Sequence, residues 1–299
     1  MTSARTPRRV VLIVNPTARR AERARRALAR RLSDAGLPPL GVLGTTVVDP
    51  GVGQARTAIE QGADLVVAAG GDGTVREVAG VLAGSGVELG ILPLGTANLF
   101  ARNLGLPMGV DNAVTALLTR PARPVDLGRA TLDGVSHPFL VVAGIGNDAT
   151  TVMATHAVAK ASLGWLAYLH SGARHLAAPH RTFTLVRDAS VPVDVTAWTV
   201  LFANCGRLPA GITVVPDARV DDGLLDVLVA STAGREWVSA AYHGLTGTPE
   251  RGRGLAYSRV RSAVVEPSHA TAVQLDGDAF PAVHRLSVTL EPGSLLVRY

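Results

Sequence analysis

The stretch LVVAAGGDGT, residues 65–74, decides the fold of the first part of the chain. It joins a short apolar run rich in valine and alanine to a glycine-rich turn, and a pattern typical of a helix follows over residues 75–82. A short apolar run that glycine bounds is typical of a buried strand in a parallel sheet. The stretch therefore predicts a strand, a tight turn and a helix in direct succession.

The same succession recurs on both sides of this stretch. An apolar run at residues 10–14 precedes a helix-compatible segment at residues 19–32, and a short strand at residues 90–92 precedes a helical segment at residues 97–103. Repeated strand–turn–helix units predict a parallel sheet covered by helices, which binds ligands at the carboxyl ends of its strands. We therefore expect a ligand-binding α/β domain over residues 8–125.

The pattern changes near residue 126, where short β-type segments separated by turns replace the alternation of strand and helix. One helix-like stretch, at residues 163–176, interrupts them. We expect a second, mainly β domain over residues 126–291, with residues 292–299 as a candidate strand that returns to the first domain. The β-type segments lie at residues 139–142, 183–186, 193–201, 224–229, 260–265 and 286–290.

Composition places the chain among globular proteins. Of its 299 residues, 47% are hydrophobic and 18% are charged, so disorder is not expected over most of the length. No apolar run reaches the roughly 18 residues that a membrane-spanning helix needs, and no apolar region of a signal peptide follows the basic start. The single cysteine, Cys205, excludes an internal disulfide and is expected to be a small buried hydrophobe. We expect a cytoplasmic location.

The net charge of +5 is unevenly distributed along the chain. Ten arginines fall between Arg5 and Arg31, and Glu22 is the only acidic residue inside that stretch. A solvated helix face is the favoured interpretation of such a run. Peripheral association with an anionic membrane surface is the functional alternative, since each basic residue near a membrane contributes about 1 kcal/mol. Nucleic acid is not an expected partner, because aromatic interleaving and the known binding motifs are absent. The sequence leaves open whether the chain forms a homodimer.

The glycine-rich turn at residues 70–74 suits a phosphate group. Glycine permits tight backbone torsions and a close approach of main-chain N–H groups, and the following helix adds N–H groups and a positive dipole end. The turn has neither the Gly-Lys-Ser/Thr of a P-loop nor the glycine spacing of the dinucleotide fingerprint. An aspartate beside a phosphate needs Mg²⁺ or a proton, so Asp72 is a candidate catalytic residue. An ordinary glycine-rich turn is the alternative.

Two further polar turns weaken that alternative. The sequence PLGTAN, residues 93–98, follows a short strand and opens a helix, with Thr96 placed as a helix N-cap or a phosphate donor. The sequence NPT, residues 15–17, ends the first strand. Because all three turns follow strands of one parallel sheet, we expect them at the same edge of that sheet.

The order of these motifs resembles the diacylglycerol kinase catalytic family, which includes sphingosine and ceramide kinases and bacterial lipid kinases. The resemblance covers nearly the whole chain, from about residue 10 to residue 280. It implies a nucleotide-binding α/β domain related to NAD kinases and phosphofructokinases, followed by a β-rich domain. The remaining motifs that carry it are DLG at 126–128, GIGNDA at 144–149, PDA at 216–218, DDGLLD at 221–226 and DGD at 276–278.

The resemblance also implies ATP as the phosphate donor, Mg²⁺ as the metal and a membrane lipid as the substrate. Mg²⁺ is expected to bridge phosphate oxygens to Asp72 and Asp126. A structural Mg²⁺ is expected at Asp222 and at main-chain oxygens of Arg219 and Leu224. The residues expected to line the nucleotide are Asn15, Pro16, Thr17, Ala18, Arg19, Thr46, Gly70, Gly71, Asp72, Gly73, Thr74, Val75, Arg76, Gly95, Thr96 and Asn98.

The proton acceptor for the lipid hydroxyl is expected to be Asp278, with Asp276 beside it as the alternative. The family carries glutamate at the position of Asp278, and one methylene less shortens the reach by about 1.5 Å. A second departure is Ala18-Arg19 where the family has Ser-Gly, so Arg19 or Arg20 is expected to supply charge. Taken alone, the DGD sequence is typical of a hairpin turn.

The sequence thus predicts an ATP-dependent kinase that phosphorylates a lipid hydroxyl, diacylglycerol or a related lipid. In phosphoryl transfer the protein mainly positions the groups and stabilises charge. One alternative is a phosphotransferase that resembles NAD kinase and acts on a soluble substrate, but it leaves the motifs at residues 93–98 and 276–278 unexplained. The other is a nucleotide- or lipid-binding regulator with weakened catalysis, which only the aspartate at position 278 supports.

Overall fold

The chain divides into two units, each described here by itself. Residues 1–127 and 292–299 form the first unit, and residues 128–291 form the second. The computed structural model describes residues 9–147, 179–207, 215, 217–231 and 254–299. The helix-like stretch predicted at residues 163–176, and Asp148, Ala149 and Pro216 of the sequence motifs, lie outside the described residues. No helix in the described part is long and apolar enough to cross a membrane.

A parallel sheet forms the centre of the first unit. Its strands are β1 (Val10–Val14), β2 (Gly41–Gly44), β3 (Leu65–Gly70) and β4 (Glu88–Pro93). They run in the order β2-β1-β3-β4, and every pair is parallel. Both β1 and β3 are buried along their whole length, as expected of strands covered on two faces. The unit also contains the start of β5 (Ala122–Leu132) and the end of β16 (Leu286–Arg298), which pairs in parallel with β4.

Helices pack on this sheet through faces that the sequence periodicity sets. The helices are α1 (Ala21–Asp34), α2 (Val52–Glu60), α3 (Asp72–Leu82), α4 (Leu99–Asn103) and α5 (Val110–Thr119). Helix α1 buries Ala24, Leu28 and Leu32, which recur every four residues. These side chains share a core with α5 and with alternate residues of β1 and β3, such as Leu12 and Val67. Helices α2 and α3 pack against each other, and α3 also packs on β3.

The α/β prediction for the first domain is confirmed, although its three predicted helices begin elsewhere than expected; α1 begins at Ala21 rather than at residue 19. Helix α3 begins at Asp72 rather than at residue 75, because the glycine-rich turn is already helical from its third residue. Helix α4 begins at Leu99 rather than at residue 97, because Asn98 has a left-handed backbone with φ of 48°. Strand β2 and helices α2 and α5 were not predicted from the sequence.

Antiparallel strands in two sheets make up the described part of the second unit. Its strands are β6 (Val135–Phe139), β7 (Val142–Gly146), β8 (Arg181–Arg187), β9 (Val193–Ala197), β10 (Thr199–Ala203), β11 (Leu225–Ala230), β12 (Leu255–Val260), β13 (Ser262–Pro267), β14 (Thr271–Leu275) and β15 (Asp278–Val283). One sheet has the order β12-β11-β10-β7-β14-β15. The other runs β16-β13-β8-β9, and β6 pairs with β5.

The two sheets of the second unit enclose one hydrophobic core. Ile145 and Phe202 from the first sheet and Phe183 and Val288 from the second belong to the same buried cluster, which is the arrangement of a β-sandwich. The mainly β prediction is therefore confirmed. The single strand predicted over residues 193–201 is wrong, because the chain passes at Trp198 from β9 in one sheet to β10 in the other.

A buried ion pair fixes the end of β16 in the first unit. The Arg298 side chain is 1% exposed, and its Nε donates to Glu88 Oε2 at the start of β4. Its Nη1 also donates to the main-chain oxygen of Leu117 in α5, at 3.3 Å. Arg298 thus joins the returning strand to a neighbouring strand and to a helix.

We expect Arg298→Met to lower the free energy of unfolding by about 3 kcal/mol, because it leaves the partly buried Glu88 carboxylate without its cation. Urea denaturation followed by circular dichroism measures the change. The exposed Arg30 provides the control, since Arg30→Met should change the free energy by less than about 0.5 kcal/mol. Equal midpoints for the two variants would show that the buried pair does not stabilise the unit.

Candidate functional site

Three turns at the carboxyl edge of the parallel sheet form the candidate phosphate site. They follow β1, β3 and β4. Main-chain hydrogen bonds connect them to the neighbouring strands: Asn15 N donates to Ala69 O at 3.1 Å, and Leu94 N donates to Gly70 O at 3.0 Å. The three turns therefore lie side by side, as predicted from the sequence.

The first turn is closed by its own asparagine. Asn15 Oδ1 accepts hydrogen bonds from the main-chain N–H of Thr17 at 3.0 Å and from its hydroxyl at 2.8 Å. Of the two arginines expected to supply charge here, Arg20 donates to the main-chain oxygens of Met108 and Pro93, each at 3.1 Å. Its guanidinium therefore holds the third turn in place, and Arg19 is the exposed cation of the pair.

The glycines of the second turn serve close approach rather than unusual torsions. None of Gly70, Gly71 and Gly73 has a positive φ, and Gly71 is extended with φ of −89°. A Cβ on Gly70 would lie 2.7 Å from Thr74 Cβ, and a Cβ on Gly95 in the third turn would lie 2.6 Å from Gly71 Cα. The expectation of tight torsions is thus wrong for these glycines. Two turns touch through their backbones, and a side chain on Gly95 would separate them.

Asp72 holds the second and third turns together. It is the first residue of α3, and its Oδ1 accepts the main-chain N–H of Leu99, the first residue of α4. Sequence reasoning gave Asp72 only a chemical role, so this architectural role was missed. The first hydrogen bond within α3 runs from Val75 N to Gly71 O at 3.1 Å. The N–H groups of Gly73 and Thr74 precede it and point out of the helix N-terminus, where they suit an anion.

Asn98 locks the third turn. Its Oδ1 accepts the N–H of Gly95 at 3.0 Å, its Nδ2 donates to Gly95 O at 2.7 Å, and the residue is buried. Thr96 is exposed and is not the N-cap of α4, because Asn98 occupies that position. The N-cap prediction for Thr96 is wrong, and its hydroxyl remains a candidate phosphate donor.

The other residues predicted to line a nucleotide in this unit differ in exposure. Pro16 and Arg19 are exposed and Ala18 is half-buried, whereas Val75 and Arg76 are buried in α3. Arg76 Nε contacts Glu77 Oε1 at 3.3 Å.

Thr46 lies in the exposed turn after β2, where its Oγ1 accepts the N–H of Asp49 at 2.9 Å. Its main-chain N–H donates to Asp49 O, also at 2.9 Å. Thr46 therefore follows a strand of the same sheet as the three phosphate turns.

Asp126, the other predicted partner of Mg²⁺ at the phosphates, is 2% exposed. Its Oδ1 accepts the N–H of Gly293 at 2.7 Å, at a position on β16 where φ is 59°. The carboxylate thus anchors the returning strand. Among the described residues, no group of three or more aspartate, glutamate, histidine or cysteine side chains gathers around a point that could hold a metal ion.

In the second unit, Asp276 and Gly277 form the two-residue turn between β14 and β15. Their φ angles are 52° and 87°, and Leu275 pairs directly with Asp278, as in a tight hairpin with two left-handed residues. The Asp276 carboxylate is buried and accepts three main-chain N–H groups, those of residues 140, 141 and 142, at 2.7–3.0 Å. Both of its oxygens are therefore engaged, which makes Asp276 unsuited to accept a substrate proton. Asp278 is half-buried.

The predicted structural metal loop contains an incompletely paired carboxylate. Asp226, buried at the start of β11, accepts Arg259 Nε at 3.0 Å through Oδ1, while its Oδ2 is buried without a hydrogen-bond partner among the described residues. Burial raises the pKa of Asp226, the Arg259 guanidinium opposes that rise, and the charges of Asp222 and Asp217 add to it. Arg259 compensates only part of the negative charge at this loop, so the loop suits a cation.

The residues named for that metal are only partly committed to other contacts. Asp222 Oδ1 accepts the N–H of Leu224 at 3.1 Å, and Arg219 Nε contacts Asp221 at 3.3 Å. The main-chain oxygens of Arg219 and Leu224 are not used in these contacts. Cys205 is buried as predicted, and burial, together with the nearby charge of Asp276, raises the pKa of its thiol.

Comparison with known proteins agrees with this arrangement. The family model described as "Diacylglycerol kinase catalytic domain" matches residues 9–130, and the "YegS C-terminal NAD kinase beta sandwich-like domain" matches residues 141–298. A Pseudomonas aeruginosa protein described as "Probable lipid kinase YegS-like" is 35% identical over 255 residues, which cover 82% of this chain and 81% of the relative. A Cronobacter sakazakii protein of the same description is 31% identical over 245 residues, covering 81% and 80%.

A solved structure is similar over the full length. The crystal structure of a Bacillus anthracis protein described as a candidate diacylglycerol kinase superposes with a TM-score of 0.80 at 26% identity, and covers 100% of this chain and 97% of that one. The glycine-rich turns at the sheet edge, the β-sandwich and these matches together lead to one assignment. The chain belongs to the diacylglycerol kinase catalytic family and is a lipid kinase.

Proposed function

We propose that the chain transfers the γ-phosphate of ATP to the hydroxyl of diacylglycerol or a closely related membrane lipid. The observation that carries this proposal is the backbone contact between Gly71 and Gly95 beside the N-terminus of α3. The contact brings the second and third turns together next to the N–H groups of Gly73 and Thr74, which precede the first hydrogen bond of α3 and suit a polyphosphate.

The N–H groups of Gly73 and Thr74 are the proposed donors to the phosphate oxygens, with the exposed Thr96 hydroxyl as a further donor. Arg19 is the proposed cation of the first turn. Such groups position the transferring phosphoryl group and stabilise its charge, which is most of what a protein contributes to this reaction. Arg20, Asn98 and Asn15 support the site by holding the turns through the hydrogen bonds described above.

We propose that the Asp278 carboxylate accepts the proton of the lipid hydroxyl. Its neighbour Asp276 supports this assignment, since three main-chain N–H groups hold that carboxylate and fix the turn from which Asp278 projects. Aspartate in place of glutamate reaches about 1.5 Å less far. If catalysis is weakened in this chain, the shorter side chain at position 278 would be the cause.

Mg²⁺ is the proposed metal, and the loop around Asp222 and Asp226 is the place where the described residues fit a cation best. The unpartnered Oδ2 of Asp226 and the main-chain oxygens of Arg219 and Leu224 would hold it. A divalent ion there would neutralise the acidic loop, and Mg²⁺ carried by the nucleotide would neutralise phosphate charge. Asp72 would contribute its negative charge to the nucleotide-borne ion. Asp126 is proposed to act through water.

Peripheral association with an anionic membrane is the proposed route to the lipid. The arginines of α1 support it only in part. Glu22 pairs with Arg25 and Arg26, which lower its pKa to about 2, and Arg23 pairs with Asp111. The groove of about 590 Å³ beside α1 is accordingly lined by both signs of charge. The attraction that we propose therefore comes from the first unit as a whole, which carries 16 arginines against 10 acidic residues.

Incubation of the protein with radiolabelled ATP, Mg²⁺ and a total membrane lipid extract tests the proposed reaction. We expect label in the organic phase, in a product that co-migrates with phosphatidic acid when diacylglycerol is the only lipid supplied. Label confined to water-soluble products would contradict the proposal. A product formed from another lipid alcohol would keep the lipid kinase and replace the substrate.

We expect Asp72→Asn to lower kcat about a hundredfold while the midpoint of urea unfolding stays unchanged. The amide oxygen still accepts the Leu99 N–H, but the negative charge that a phosphate-bound metal requires is gone. Asp72→Ala is the companion variant, which should lose both turnover and stability. Near wild-type kcat in Asp72→Asn would reduce Asp72 to its architectural role.

We expect Gly95→Ala to weaken ATP binding at least about tenfold, because its Cβ would force the second and third turns apart and displace the phosphate donors. Isothermal titration calorimetry with a non-hydrolysable ATP analogue measures the affinity. Gly44→Ala is the matched control, since a Cβ at Gly44 meets nothing within 4 Å. The same affinity in both variants would refute the phosphate assignment of the turns.

We expect Asp278→Asn to lower kcat at least about a hundredfold, since an amide takes no proton at neutral pH. Asp278→Glu should keep or raise kcat, because it restores the longer reach. Both rates must be compared at saturating ATP and lipid, so that chemistry is measured rather than binding. An inactive wild type with an active Asp278→Glu would identify a degenerated kinase, and a fully active Asp278→Asn would remove Asp278 from proton transfer.

A further inference from the structure

Two neighbouring valines stand out of the first unit into solvent. Val47 and Val48, in the turn between β2 and α2, are 101% and 94% exposed. The other large hydrophobic side chains called exposed in the described part of the chain are between 43% and 79% exposed. A pair of adjacent, fully exposed valines carries an unrelieved hydration cost, so a partner that covers them would be favoured.

This valine turn, residues 45–49, is held by hydrogen bonds on both sides of the valines. Thr45 N donates to Val14 O, and Thr46 and Asp49 exchange two further bonds, all at 2.9 Å. The Asp49 carboxylate accepts the N–H groups of Gly51 and Gly53 at 3.1–3.2 Å, at the start of α2. The exposure of the valines is therefore built into a defined turn, and the Asp49 carboxylate is occupied at the helix N-terminus.

The turn lies at the functional edge of the sheet. The bond from Thr45 to Val14 places it next to the end of β1, directly before the Asn15 turn. The exposed Arg19 follows the same strand end. The unit that carries these residues has an excess of six positive charges by sequence, whereas the second unit has 13 basic and 14 acidic residues.

We propose that Val47 and Val48 insert into the surface of an anionic lipid bilayer and dock the kinase on it. This proposal rests on the proposed function, in which the acceptor hydroxyl belongs to a membrane lipid. A bilayer fits better than a protein partner, because a specific protein interface covers about 800 Å² on each side, far more than two side chains offer. Apolar insertion beside a positively charged unit matches the chemistry of an interfacial anchor.

A fluorophore at the turn tests insertion directly. Cys205 is the only cysteine, and it is buried with a raised pKa, so a thiol introduced by Val47→Cys reacts selectively with the polarity-sensitive dye acrylodan. Vesicles of phosphatidylcholine and phosphatidylglycerol in equal parts, without ATP, should shift its emission to shorter wavelength. Val191→Cys, labelled in the same way, is the matched control, since Val191 is 79% exposed between two strands of the second unit.

Vesicle sedimentation gives the second measurement. The double variant Val47→Ser/Val48→Ser should bind these vesicles at least about tenfold more weakly, and the loss should persist at high salt, where attraction by arginines is screened. Val191→Ser should bind as wild type. Unchanged urea midpoints verify that the serine variants fold, which the exposure of the sites leads us to expect.

Each other outcome overturns the proposal. An emission shift with ATP alone and none with vesicles would assign the turn to the nucleotide. A shift that depends on protein concentration in the absence of vesicles would assign it to a second copy of the chain. No shift under any condition, or wild-type binding by the serine variant, would leave the valines without a docking role. Because no ATP is present with the vesicles, failure of phosphotransfer and failure of docking are separate results.

Discussion

The approach of the Gly71 and Gly95 backbones constrains the candidate site more than any other interaction. No residue with a side chain fits at Gly95, because its Cβ would lie within 2.6 Å of Gly71 Cα. The surrounding contacts serve this approach: Asp72 holds Leu99, and Asn98 closes on Gly95. Binding of a polyphosphate needs N–H groups fixed before the ligand arrives, so that little order is lost on binding.

Many polar side chains of the motifs form hydrogen bonds with main-chain groups. Irregular turns leave main-chain N–H groups that strands and helices do not pair, and each such buried group must find an acceptor. Asp126 and Asp276 provide acceptors in this chain, with three N–H groups held by Asp276 alone. Loss of activity on replacing such an acid would not by itself distinguish chemistry from architecture. Only variants that keep the acceptor and remove the charge make that distinction.

Sequence reasoning succeeded where a local pattern has one physical cause. Uninterrupted apolar runs predicted β1 and β3, and the polar or glycine-rich segments after them predicted turns at a shared edge. It failed where the determinant is distant in sequence: the role of Asp72 depends on Leu99, and that of Asp276 on residues 140–142, which are more than 130 positions away. Short-range patterns contain no information on such partners. The Asp-Gly dipeptide predicted the hairpin at residues 276–277. It did not predict that the Asp276 carboxylate is buried.

The choice of the proton acceptor also depends on contacts that are distant in sequence. Asp278 and Asp276 are equivalent as sequence, since both are aspartates flanking one glycine. Burial and hydrogen bonding separate them, because one carboxylate is saturated by N–H donors and the other begins a strand at half exposure. The valine turn is a converse case. Val47 and Val48 resemble a fragment of buried strand in sequence, and only the fold reveals that they face water.

The pairing of Arg298 with Glu88 has a consequence for synthesis on the ribosome. These residues are 210 positions apart, and all of the second unit is translated between them. Domains generally fold in order as they emerge, but here the strand edge of β4 and the Glu88 carboxylate must wait until the last residues of β16 have left the exit tunnel. For that interval the nascent chain presents an unpaired strand edge, a template for association with other chains. This topology is therefore expected to favour chaperone binding during translation, whatever the final stability of the protein.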